Sequence, residues 1–167
     1  ITDNGLPATI TSPYVISNVT AVHDVVATFA INTFTINATS SAGGTLTPSG
    51  PVVVNQGADQ AFTITPNTGY HIATLTVDGA PVTPPVSPYT FRTVAANHTI
   101  AVTFAINTYQ VTASAPGGHG TVAPASQTIN YGSSATVNIT SDSAYHVASI
   151  TDNGLPATIT SPYVISN

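Results

Sequence analysis

The chain has 167 residues, of which 4% are charged, against roughly 25% in an ordinary soluble domain. A single cation, Arg92, no Lys, no Glu and a net charge of −5 exclude a phosphate-neutralising surface, so no nucleic-acid partner is expected; Schiff-base chemistry and a P-loop are excluded with it. The absence of Cys removes disulfides and thiol chemistry, and the most apolar run, around Val25, falls far short of the ~20 residues that a membrane span needs.

Residues 1–18, ITDNGLPATITSPYVISN, return letter for letter as residues 150–167. Self-similarity at a fixed period marks a tandem array, here with an offset of 149 between Ile1 and Ile150. A looser offset of about 75 lies inside it: INTFTI at 31–36 answers INTYQV at 106–111, GTLTP at 44–48 answers GTVAP at 120–124, and TGYHIATLTVDG at 68–79 answers SAYHVASITDNG at 143–154. The chain therefore divides into 1–30, the C-terminal part of a B-type repeat, 31–105, a complete A-type repeat, and 106–167, the N-terminal part of the next B-type repeat without its last strand. That last strand is present in kind at 19–30, where VHDVVATFA resembles NHTIAVTFA at 97–105; Val19, Val22, Val25, Val26 and Phe29 are its proposed inter-repeat contacts.

Within the A repeat, period-two alternation rich in Val, Ile, Thr, Phe and Tyr predicts strands at 33–39, 44–48, 52–55, 61–65, 71–77, 89–93 and 99–104. Phe34, Ile36, Phe62, Ile64, Ile72, Leu75, Val77, Phe91, Ile100, Val102 and Phe104 are its expected inward set. The B set is Tyr109, Val111, Val137, Ile139, Val147, Ile150 and Ile165, joined by Val25 and Phe29 from the repeated end. Asp78-Gly79 and Asn153-Gly154 supply the positive φ angles of two-residue hairpins. Pro81, Pro84, Pro85 and Pro88 mark an edge or loop, because proline cannot donate to a ladder. The fold class expected is all-β, a tandem array of small modules of about 75 residues, each a β-sandwich or β-grasp-like, with no helix of note.

The order GG-GT-x-x-P, a YG or QG turn, GYHI-x-x-LTVDG, YTF and NHTIAVTFA resembles the divergent InlB B-repeat family, small all-β modules arrayed in bacterial secreted and surface proteins. The resemblance spans both units over nearly their whole length. It implies an extracellular stalk, adhesive or structural role and brings no catalytic residues.

Candidate chemistry is thin. His71 and His146 follow Tyr70 and Tyr145 at equivalent places, and His23 and His98 form a second matched pair; a packing role in each module explains their recurrence better than a metal site, which would need convergent carboxylates. His119 stands alone in a glycine loop. The six Asp residues are scattered without the DxDxDG spacing of a calcium loop, which leaves only an ion at a module junction open. There is no GxSxG elbow, no paired-carboxylate signature and no cofactor motif, so neither an enzyme nor a cofactor is expected. Asn18, Asn37, Asn97 and Asn138 begin N-x-T sequons and are candidate glycosylation sites, with a glycan as the corresponding partner.

So uncharged a surface has little repulsion to keep chains apart. The expected partner is the molecule itself, as neighbouring repeats or subunits of a homopolymer, in a filament or cell-surface stalk. The alternative is an adhesin array that presents one ligand patch many times.

Overall fold

The computed structural model describes residues 1–166; Asn167, the last residue of the third expected segment, lies outside them. Eighteen strands and, among the described residues, no helix make the chain all-β. The leading segment holds β1 (Thr2–Asp3), β2 (Leu6–Pro7) and β3 (Val25–Val26) in one small sheet, order β2-β1-β3.

The next unit holds β4 (Thr33–Ser40), β5 (Gly44–Thr47), β6 (Gly50–Asn55), β7 (Gln60–Pro66), β8 (Tyr70–Val77), β9 (Ala80–Pro81), β10 (Tyr89–Phe91) and β11 (His98–Ile106). They form a five-stranded sheet, order β6-β4-β11-β8-β9, and a three-stranded sheet, order β10-β7-β5. Alternation sends Ile36 and Ala38 of β4, Val54 of β6, Leu75 of β8 and Ile100 and Val102 of β11 inward from the first sheet. Leu46 of β5, Phe62 and Ile64 of β7 and Phe91 of β10 meet them from the second, in one buried cluster. Of the two architectures expected, this is the sandwich. The core also takes Val94, in the loop after β10, whose backbone is tied by hydrogen bonds to Gly57 and Ala58.

The local signals explain the elements. Asp78 and Gly79 take φ values of 50° and 78°, the left-handed pair that a two-residue turn needs between β8 and β9. Pro81 sits on β9, the short strand at the sheet edge. Strand β11 runs parallel to β4 and antiparallel to β8, with a bulge between Thr103 and Phe104. Beyond that bulge the Phe104 amide is satisfied by the Ser41 hydroxyl at 2.9 Å.

The last unit holds β12 (Thr108–Thr112), β13 (Gly120–Ala123), β14 (Ser126–Asn130), β15 (Ala135–Ser141), β16 (Ile150–Asp152), β17 (Leu155–Ala157) and β18 (Tyr163–Ile165). Here the ladders are split into β12-β14, β13-β15-β18 and β16-β17. Ala135 and Val137 are its buried hydrophobics. Three members of the expected inward set are corrected: Tyr109 is 56% exposed, Val25 44% and Phe29 96%. Tyr109 lies on β12, which pairs only with β14, and Val25 lies on β3, at the edge of its small sheet.

Candidate assembly surface

In the 33–106 unit, called closed because β11 lies between β4 and β8, the last strand is central. β11 is the hub of its larger sheet, flanked by β4 and β8, and it buries Ile100 and Val102 to 0% and 1% exposure. The far end of its Phe104 ring lies against Gly44, where an added Cβ would come to 2.5 Å from the ring. Glycine is required there for close approach rather than for a turn, which gives the GG-GT signature a packing cause.

The leading segment reproduces half of this arrangement. Asp3 pairs with Val25 and Thr2 with Val26, as Val77 pairs with Ile100 and Thr76 with Ala101 in the closed unit. The backbone clamp matches too. The Asn4 amide donates to the Asp24 carbonyl at 3.1 Å and the Asp24 amide returns a bond to the Asn4 side chain at 3.2 Å. In the closed unit the Asp78 amide donates to the Thr99 carbonyl at 3.0 Å, and the Thr99 amide to the Asp78 carboxylate at 2.7 Å. Val25 and Phe29 are thus the sequence counterparts of Ile100 and Phe104, but they are 44% and 96% exposed. Val25 and Val26 lie in β3; Val19, Val22 and Phe29 are 62%, 90% and 96% exposed.

A cleft of about 840 Å³ opens between β12, the loop before β13 and β16, lined by Val111, Val122, Val137, Val147 and Ile150 among others. Its walls β12 and β16 are the sequence counterparts of β4 and β8, the two strands that flank β11 in the unit before it. Residues 1–7 show Val25–Val26 of segment 19–30 paired with the very sequence that recurs as β16 and β17.

Four of the five histidines are held in side-chain contacts. His98 Nδ1–H donates to Asp78 at 2.7 Å, His23 Nδ1–H to Asp3 at 2.8 Å, and His71 Nδ1–H to the Asn107 side chain at 2.8 Å. His119 stacks face to face on Tyr145 with ring centres 4.0 Å apart; that contact joins positions equivalent to Gly43 and Tyr70, which pack together in the closed unit. Among the described residues no three His, Cys, Asp or Glu side chains converge on a point. Asn18, Asn37, Asn97 and Asn138 are all exposed, and Asn97 Oδ1 accepts the Thr35 amide at 2.8 Å. Arg92 reaches Asp59 at 3.4 Å, with both side chains largely in solvent.

Two equivalent structural serines are absent from the candidates above. Ser87 accepts the Ile64 amide and donates to the Ile64 carbonyl, both at 2.9 Å, and Ser161 does the same at Ile139 with 3.1 and 2.7 Å. The Ser-Pro-Tyr triplet that recurs at 12–14, 87–89 and 161–163 was the available signal.

The Asp78 carboxyl is held below the ordinary carboxylate value, first by the hydrogen bond from His98 and next by the Thr99 amide. A carboxylate with a lower pKa in the folded chain adds stability above its unfolded pKa, about 4, and loses it as pH falls through the folded value. Urea midpoints of the wild type and Asp78→Asn are therefore expected to differ at neutral pH and to converge below about pH 4. A gap that stays constant across that range would remove the carboxylate from this account. In the two copies of the returning stretch, partial burial pushes the phenols of Tyr14 and Tyr163 up, and the neighbouring Asp3 and Asp152 add to the shift.

Comparison with known proteins gives one family. A profile described as Divergent InlB B-repeat domain matches residues 34–108 and again 109–165. No curated protein and no solved structure matches the chain.

Proposed function

The chain belongs to the divergent InlB B-repeat family, and from that premise we propose that it is a structural segment of an extracellular filament or cell-surface stalk, with units joined end to end. The observation that carries the reading is the exposure of Val25 and Phe29 beside the burial of Ile100 and the packing of half-buried Phe104 against the core, together with the cleft in the last unit. A neighbouring period closes that cleft, whether along one chain or by a strand donated from a second copy, as in β-augmentation. By the register of the closed unit, Val25 comes opposite Ala113 in parallel and opposite Asp152 in antiparallel pairing.

The reading assigns no catalysis and no cofactor to the chain. Its chemistry is mutual burial of nearly uncharged β modules, and repetition of one interface that does not close into a ring generates a helical fibre. A module of about 75 residues is on the order of 30 Å long, so an A plus B pair advances roughly 60 to 70 Å. Electron microscopy of the native material tests this: the expected result is a regular fibre with that axial repeat and a strand between β12 and β16. Flexible strings of separate beads with bare faces would overturn it and favour an adhesin that displays the same patch on every unit.

A further inference from the structure

The join between the closed unit and the one after it is built around Asn107. Its amide donates to the Gly69 carbonyl at 2.8 Å, its carbonyl accepts the Tyr131 amide at 2.8 Å, and its side-chain oxygen accepts from His71 at 2.8 Å. The Tyr131 ring lies directly on Gly69, with a φ of 80°; a Cβ on Gly69 would fall within 2.7 Å of the ring's Cγ. The ring fits because that residue has no side chain.

The same parts recur with different residues one unit earlier and one unit later. Asn32 stands where Asn107 does, and its carbonyl accepts the amide of Gln56, the counterpart of Tyr131, at 2.8 Å; Asn32 Nδ2 donates to Gln56 Oε1 at 3.2 Å. Asn32 Oδ1 is left for a donor placed as His71 is. At the far end the counterpart of Gly69 is Ala144, a non-glycine residue at a φ of 71°, followed by Tyr145 and His146 as Gly69 is followed by Tyr70 and His71. Ala144 and Gln56 are both exposed. A B loop therefore carries the one methyl group that a tyrosine at the facing position would not admit, and the A unit offers glutamine at that position.

We propose that Gly69 with Tyr131, and Ala144 with Gln56, are two matched contact pairs that fix the alternation of unit types along the array: an A loop receives a B unit, and a B loop receives an A unit. The surface formed by Asn32 and Gln56 is thus the docking face for the Ala144–His146 loop of a preceding B-type unit, with the His146 ring donating to Asn32. This rests on the tandem-array reading given above, but its test lies inside one chain and does not require fibres to form.

The test is a cycle of Gly69→Ala, Tyr131→Gln and the double variant, read by hydrogen exchange at the Tyr131-position and Asn107 amides and by spin-label distances between the two units. Gly69→Ala sets a B-type loop against a tyrosine. Exchange there is expected to quicken by about tenfold or more, and the distance distribution to broaden, as the overlap forces the join open. The double variant rebuilds the Ala–Gln pairing in place and is expected to return both readouts most of the way to wild type. Left-handed strain at position 69 is common to the single and the double variant, so it cannot produce that recovery. Exchange within β4 and β11 checks that the closed unit stays folded. A Gly69→Ala join indistinguishable from wild type, or a double variant as loose as the single one, would overturn the pairing rule while leaving the filament reading standing.

Discussion

Phe62→Ala is expected to lower the melting temperature of the 31–106 unit by about 15 to 30 °C. Phe62 is wholly buried and meets Phe91 edge to face with ring centres 5.9 Å apart. Truncating a buried Phe to Ala costs about 3–5 kcal/mol in lost transfer energy and cavity. A unit of this size has on the order of 4–11 kcal/mol to lose, and each kcal/mol shifts the midpoint of so small a domain by about 4–8 °C. Hydrogen exchange resolves the effect by unit: amides of β4, β7 and β11 should lose protection together, since all three strands share the one core. Tyr109→Ala, at a side chain 56% exposed, should stay within about 0.5 kcal/mol of wild type. Equal small losses from both variants would mean that the sandwich core is not where the stability resides.

Extending the chain by a second copy of residues 19–30, placed after Asn167, is expected to close the last unit and slow amide exchange in β12 and β16 by about a thousandfold. The extension continues the repeat in register, because 150–167 already duplicates 1–18. Without it, β12-β14 and β16-β17 are two-stranded ladders, and isolated two-stranded ladders are marginal in water. With it, the counterparts of Val94, Ile100 and Phe104 regain the contacts seen in the closed unit, each large side chain contributing about 1.5–3 kcal/mol by burial. Offset by the ordering of the added residues, the closed unit should approach the stability of its neighbour, at least ~4 kcal/mol, which is the thousandfold change in opening. An extension carrying aspartate at the positions of Val25 and Phe29 should give none of the gain. No slowing with the native extension would show that the cleft does not take this strand.

Much of the closed unit was legible because its signals are local. Alternation placed all seven expected strands within a few residues of where they lie, and Asp78-Gly79 marked the turn from β8 to β9. What escaped were contacts between distant positions. Leu46, Val54 and Val94 joined the core through sheet order and loop placement. The parallel pairing of β11 with β4 links residues more than sixty apart, and nothing in either strand's own alternation specifies that neighbour. The site residues divide in the same way. Val25 and Phe29 were recognisable as strand residues of a core-facing type, but their exposure is a matter of which sheet is present to receive them.

The returning stretch separates the two kinds of information most directly. Both copies form the same hairpin, with φ of 51° and 77° at Asn4-Gly5 and 49° and 80° at Asn153-Gly154, and both set a tyrosine hydroxyl on the aspartate eleven residues earlier. That much follows from the sequence alone, since turn geometry and a contact over eleven residues need no partner from elsewhere. Yet Tyr163–Ile165 is a strand and the identical residues 14–16 are not, because Ala135–Val137 of β15 supplies the facing hydrogen bonds only to the second copy. Conversely Thr2 and Asp3 gain a third strand from Val25 and Val26, which Thr151 and Asp152 lack. Sequence set the turns, the alternation and the capacity to pair; tertiary structure decided which edges were filled, because a strand's backbone bonds and buried face exist only when another strand lies beside it.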